Sequence, residues 1–331
     1  VKIVDVPDGN LLKELNNVIN KTQQSLSLER NVLFRFIIIK SSNQYYLFIC
    51  MHHLIIDAVS WGILLYELES VYQNQSALLP ERSSFGEWTK RLNDYRKEVT
   101  VLEKNYWFNI VKMMQKELSY EKSYDLIREI YYSFDYIDLK LIDQKLKAKN
   151  LDVRSAILGL IARALSEKDT LCFDIENYGR GAIENIDLSG TVGWFTIMFP
   201  MIIRPQADME SIIYHIFDSF DSIPNDGIAY GLLKPEFRKQ GYTNLHAQYC
   251  FNYLGRSKEY SCKSFVEIQE RIEKDIAESN SMGHDIVFDV FEENDVLKMK
   301  MRYKSSKENV VKVLCERMNS LQTVFLNCFD L

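Results

Sequence analysis

The sequence predicts a mixed α/β (α+β) protein folded as two lobes, and three observations lead there. Strand-like and helix-like stretches alternate in both halves of the chain rather than segregating. The 331 residues exceed what one hydrophobic core commonly serves, and 47% hydrophobic against 26% charged residues is a globular balance. Only 6 Pro and 13 Gly occur and no stretch is of low complexity, so the lobes must be joined without a long flexible linker.

The first strands are "NVLFRFIIIK" and "QYYLFICMHH", dense in β-branched and aromatic residues and separated by "SSN". From Ala58 the period changes, with Ile63, Leu64, Glu67, Leu68 and Val71 at three-and-four spacing, so a helix carries the chain away. Helices follow at about 84 to 98 and 100 to 117. A polar stretch over 118 to 126 marks the lobe boundary, giving residues 1–124 and 125–331. Beyond it, "REIYYSFDYIDL" reads as a strand, "VRSAILGLIARALSE" as an amphipathic helix and "DTLCFDIENYGR" as a strand ending in a turn. "GWFTIMFPMIIR" is a strand whose Pro200 favours an edge or bulge. "QYCFNYLG" is a strand closed by Gly255, "HDIVFDVFEENDVLKMKMRYK" a hairpin turning at "ENDV", and the last helix runs from about 306 to 327.

Composition excludes several functions. The net charge is −6 with no dense Lys/Arg block, which argues against nucleic acid. No apolar run approaches the ~18 residues of a spanning helix, and "VKIVDVPDGNLLKELNN" has neither the basic start nor the apolar middle of a signal peptide, so a cytoplasmic protein away from membranes is expected. Cys50, Cys172, Cys250, Cys262, Cys315 and Cys328 form no C-x-x-C pair and no metal-ligand spacing with His, so reduced thiols and no metal are expected.

Two of the five histidines, His52 and His53, stand side by side where a strand ends, with Asp57 four residues on at the start of a helix. Three readings are open. The histidines complete backbone hydrogen bonds while Asp57 caps the helix. A metal site fits poorly, because adjacent strand residues face opposite ways. An acid-base role needs only one imidazole facing a cleft.

"MHHLIIDAVSWGIL" resembles the HHxxxDxxSW signature of the condensation superfamily of nonribosomal peptide synthetases, and its Val-Ser-Trp ending is the form of the epimerization branch. "DIENYGRGAIENIDLSGTVGWFTIMFP" is similar to that branch's E-x-x-G-R followed by TVGWFTxxFP, and "GIAYGLL" and "FNYLGR" to its GIGYGLL and FNYLGQ motifs. The four motifs occur in the family's order over residues 30 to 256.

This resemblance implies two chloramphenicol-acetyltransferase-like lobes in a V around a central tunnel. It implies inversion, from L to D, of the Cα of an aminoacyl or peptidyl thioester, in the biosynthesis of peptide antibiotics. No tightly bound cofactor is implied: an upstream peptidyl carrier protein presents the substrate on its 4'-phosphopantetheine arm, with neighbouring synthetase domains as further partners and the domain itself monomeric. His53 takes the catalytic histidine's place and Glu176 that of the proposed acid-base partner. His52, Asp57 and Arg180 are support, and Ser60, Trp61, Tyr178, Trp194, Asn252 and Tyr253 line the tunnel or substrate. A condensation domain forming a peptide bond, and a degenerate domain that only docks a carrier, are the alternatives.

Each residue also has a plainer reading: Glu176 capping a turn or pairing with Arg180, Trp194 and Phe195 packing in a core, Asn252 and Tyr253 hydrogen-bonded within one. His215, His246 and His284 lie outside every motif and read as structural or exposed. The chain departs from the family pattern at Ala58 (usually Gly), Gly62 (often Arg), Asn177, Tyr178, Gly181 and Gly190, the last replacing a common Arg. Family members also carry a substantial segment before the signature, so the first lobe is expected to be incomplete, with an exposed sheet edge.

Overall fold

Runs of β-branched and aromatic residues form nine strands in two sheets among the described residues, with helices between them. The structure, a computed structural model, describes residues 2–7, 11–42, 44–74, 82–117, 125–134, 137–181, 183–243, 245–256, 264–266, 268, 276, 280, 282–293 and 295–329. The chain packs as two compact units, neither a single stretch. One comprises Val1–Thr89, Asn185–Phe195 and Lys258–Ala277; the other comprises Lys90–Glu184, Thr196–Ser257 and Glu278–Leu331.

A single cut at residue 124 does not describe this partition. The stretch from Lys90 to Glu117 packs with the second unit, because Trp107 and Val111 are wholly buried in that unit's core. Most of the expected boundary, 118–124, lies outside the described residues, as do Cys262 and Asn294 of the expected turn.

In the first unit, β1 (Lys2–Asp5) lies parallel to β2 (Phe34–Ser41), which pairs antiparallel with β3 (Gln44–Met51). Parallel pairing requires a crossover, and α1 (Leu11–Gln24) supplies it. Its Leu15 packs with Val6, Ile37 and Ile39 into a small core. The register Ser41↔Gln44 leaves only two residues for the β2–β3 turn, as "SSN" led one to expect. Helix α2 (Ala58–Gln73) follows β3 through one 3-10 turn, His53–Ile55. Helix α3 (Phe85–Glu98) begins in this unit and ends in the other.

The second unit holds α4 (Val101–Glu117), β4 (Ile127–Ser133), α5 (Leu139–Ala148), α6 (Val153–Leu165), β5 (Leu171–Tyr178), β6 (Thr196–Ile203), α7 (Met209–Asp221), α8 (Ile228–Lys239), β7 (Tyr249–Arg256), β8 (Ile286–Glu293), β9 (Val296–Lys304) and α9 (Glu308–Asn327). Its six strands run in the order β4-β9-β8-β7-β5-β6. The edge position of β6 accommodates Pro200, which has no N–H to give a ladder. "REIYYSFDYIDL" is a strand only to Ser133: Asp138 accepts from the backbone of Lys140 and Leu141 and starts α5 instead.

Alternation gives this sheet two unlike faces. Phe173 and Ile175 of β5, Tyr249 and Phe251 of β7, and Ile286 and Phe288 of β8 are buried in one core with the wholly buried Ile157, Leu160 and Ile161 of α6. The opposite face carries Asp174 and Glu176, then Cys250 and Asn252, then Asp289, then Lys300 and Arg302. Among the described residues no helix is long and apolar enough to cross a membrane.

Candidate functional site

In the first unit, β3 ends at Met51 and the backbone N–H of His52 donates to Leu33 O at 2.8 Å, prolonging the hairpin by one bond. The His52 Nδ1 accepts from Leu54 N at 3.2 Å, so this imidazole props the 3-10 turn. His53 opens that turn and is exposed, its ring 5.5 Å from the ring of Trp194 at 54°.

Two buried side chains set that wall. Asp57, 4% exposed, caps α2 by accepting from Ser60 N at 2.8 Å, and its second oxygen accepts from Phe195 N at 3.1 Å. Ser60, wholly buried, donates to Gly193 O at 2.8 Å and accepts from Gly193 N at 3.0 Å. The pair therefore grips the residues on either side of Trp194. Phe195 sinks against Phe85 and Trp88, at 5.3 and 5.9 Å between rings, while Trp194 stays 41% exposed beside His53. A Cβ on Gly193 would lie 2.5 Å from the Phe85 ring, so the grip needs glycine there. These bonds also correct the expected strand: β6 begins at Thr196 because the backbone of Gly193 and Phe195 is taken by Ser60 and Asp57. Trp61 is half-buried in the first turn of α2, its N–H donating to Asp57 O at 3.2 Å.

In the second unit, Glu176 and Asn252 are register partners on the neighbouring parallel strands β5 and β7. Tyr178, two residues on from Glu176, shares its face; it is 43% exposed, and its hydroxyl donates to Leu254 O at 3.4 Å. Asn252 donates to Asp289 at 3.4 Å, and Arg302 donates to the same carboxylate at 2.8 Å. A continuous polar row thus crosses β5, β7, β8 and β9. Arg180 is half-buried in the turn after β5.

Tyr253 is a correction. Expected beside Asn252 in the site, it lies on the other face, packed against the apolar core, with its hydroxyl donating to Glu292 at 3.2 Å. Burial, with the Glu292 carboxylate beside it, pushes its phenol well above the usual range. Strand alternation alone forces this, since neighbours cannot share a face.

The sequence reading missed what flanks Glu176. Cys250 Sγ lies 3.8 Å from Glu176 Oε1, and burial raises its thiol far above the ordinary range. Next along the same face, Asp174 sits 2.8 Å from His284 Nε2, both largely buried. The alternation Asp174-x-Glu176 against Cys250-x-Asn252 was the available signal. Among the described residues no group of three or more His, Cys, Asp or Glu could hold a metal ion.

Comparison with known proteins bears on the family and the fold. The family description "Condensation domain" matches residues 2–328. Curated relatives include a plipastatin synthase polypeptide of Bacillus subtilis (strain 168), 30% identical over 258 residues, 71% of this chain and 10% of the relative. Gramicidin S synthase 1 of Brevibacillus brevis is 27% identical over 259 residues, 71% of this chain and 24% of the relative. The chain thus spans a minor part of the relatives it matches. Among solved structures, the epimerization domain from the third module of tyrocidine synthetase B superposes with a TM-score of 0.82 at 17% identity, covering 98% of this chain and 80% of that one. The condensation domain of the monacolin K polyketide synthase MokA gives 0.69 at 12% identity, covering 97% and 79%.

Proposed function

We propose, since the chain belongs to the condensation-domain family, that it epimerizes the Cα of an aminoacyl or peptidyl group held as a thioester on the phosphopantetheine arm of a carrier protein. The observation that carries this reading is Glu176, fixed by strand register beside Asn252. A second proton-transfer group is what inversion needs and peptide-bond formation does not.

A thioester α-proton is weakly acidic, so its removal requires a nearby base and a donor for the enolate-like oxygen. Inversion breaks the Cα–H bond on one face, the proton passing to the base, and forms a new Cα–H bond on the other with a proton from the acid. His53 and Glu176 are assigned as these two groups. His53 suits the role because an imidazole is the ordinary proton carrier near neutrality, and Trp194 and the His52-propped turn restrict its ring. Asn252, Tyr178, Trp194, Ser60 and Trp61 are assigned to lining and shaping the substrate path. His52, Asp57 and Arg180 are assigned to support.

The reading is tested by incubating the protein in D2O with a panel of carrier-bound aminoacyl and peptidyl thioesters. Deuterium at Cα with a mixed D and L product is expected, lost in His53→Ala and in Glu176→Ala. The specific alternative, condensation, consumes two differently loaded carriers, forms a peptide bond and leaves the Cα protium in place; that result would replace the proposal. Carrier binding without either chemistry would point to a docking domain.

A further inference from the structure

The loop ending in Trp194 is tied to α2 twice. At its end, Asp57 and Ser60 hold Phe195 and Gly193. Three residues before Gly193, the Arg82 guanidinium donates to Gly190 O at 2.6 Å and pairs with Glu67 of α2. Position 190 is where the family commonly has an arginine and this chain has glycine. The vacated space is filled: a Cβ on Gly190 would lie 2.7 Å from Arg82 Cδ and 2.8 Å from Cζ. A side chain at 190 therefore obliges the Arg82 side chain to leave the position it holds here.

We propose that Arg82 is a positioning residue for the His53–Trp194 wall, reaching through the space at Gly190 to fasten the loop to Glu67. From Ser60 to Glu67 is seven helical residues, a rise of about 10.5 Å, so the two ties hold the loop at two levels of α2. Thr191 adds a third tie, its hydroxyl donating at 2.7 Å to the carbonyl of Ser83, the residue after Arg82. The charges agree as well. Asp187, at the start of the loop, has its carboxyl lowered chiefly by hydrogen bonds from Ser189 and further by Arg82, so the guanidinium sits between acids on both elements. The proton-transfer part assigned to His53 rests on the proposed epimerization; the positioning rests on geometry alone.

The experiment reads that geometry directly. In the 13C-histidine-labelled chain, five ε1 signals are expected, and His53→Gln identifies the one belonging to His53. Trp194→Ala then gives the displacement of that signal when the indole ring is removed. Arg82→Ala and Gly190→Ala are each expected to move the His53 signal most of the way to the Trp194→Ala position, Arg82→Lys to restore only part of it, and the double variant Arg82→Ala with Gly190→Ala to match Arg82→Ala alone. If Arg82→Ala is not folded by circular dichroism, Arg82→Gln takes its place. A His53 signal unmoved in the folded Arg82 variant while Trp194→Ala moves it overturns the proposal. So does a Gly190→Ala effect that adds in full to that of Arg82→Ala. No turnover is read, so loss of the epimerization reading leaves this result intact.

Discussion

The two units hold their assigned proton-transfer residues by different means. In the second, Glu176 and Asn252 meet because β5 and β7 are neighbours in register, and each strand turns its apolar residues to the core. In the first, His53 meets Trp194 because Asp57 and Ser60, at the start of a helix, grip the backbone of a segment more than 130 residues further on. Register spreads the placement of a side chain over a ladder of backbone bonds and the whole apolar face. A clamp concentrates it in two side chains, so single substitutions should damage the first unit's geometry far more than the second's.

The largest expected effect follows from that contrast. Asp57→Ala removes a helix cap and leaves the N–H of Phe195 buried without its carboxylate, at a cost of about 2–4 kcal/mol. Urea unfolding should show that loss together with loss of the Trp194 ring-current effect on His53. Asp57→Asn, which keeps an acceptor oxygen, should lose less. In the second unit, Glu176→Gln should leave the unfolding free energy within about 0.5 kcal/mol of the parent while lowering α-proton exchange by about 10² or more. Equal stability losses for Asp57→Ala and Glu176→Gln would end the comparison.

A smaller effect tests the two faces of the sheet. Tyr253→Phe should cost about 1 kcal/mol, the hydrogen bond to Glu292, with exchange unchanged. Asn252→Ala, one residue away on the polar face, should lower exchange with little change in stability. The reverse pattern in the paired exchange and unfolding measurements would place the substrate on the helix-covered face.

The same contrast explains what the sequence disclosed. The strands, the edge position of Pro200, the β8–β9 hairpin and the helical state of α6 are written in local period and turn chemistry, and the motifs were legible as resemblance; α6 itself is buried almost all round rather than amphipathic. Alternation would also have separated Tyr253 from Asn252, had the period of the strand "QYCFNYLG" been applied to the motif it contains. What local pattern does not encode is a contact across the chain. Nothing about "RSSF" discloses that Arg82 fills the space over Gly190, and nothing about "GWF" discloses that its backbone is bound to Asp57 and Ser60 rather than paired in β6. The membership of Lys90 to Glu117 in the second unit is hidden for the same reason, since Trp107 is an ordinary helix residue until its partners are known.

The smallest expected effect concerns a second buried carboxylate, which sharpens the difference between a clamp and a packed unit. Glu103 of α4, 4% exposed, is bonded by neutral donors, the Tyr95 hydroxyl at 3.1 Å and the Asn225 amide at 3.2 Å. Burial raises its carboxyl above the usual range, and burial together with Glu103 pushes the Tyr95 phenol up to about 12. The unfolded chain therefore releases the Glu103 proton at lower pH than the folded chain does. Between those two values the folded state binds more protons, so stability falls as pH rises through them and is level on either side. Asp57 spends its oxygens on backbone N–H groups that a neutral side chain satisfies only in part; Glu103 faces donors that a neutral amide can also serve. Glu103→Gln should match the parent at a pH of about 4, below the ordinary glutamate value, and exceed it modestly near neutrality in urea unfolding. Parallel profiles for the two proteins across that range would show that the carboxyl titrates alike in both states and would remove the predicted window.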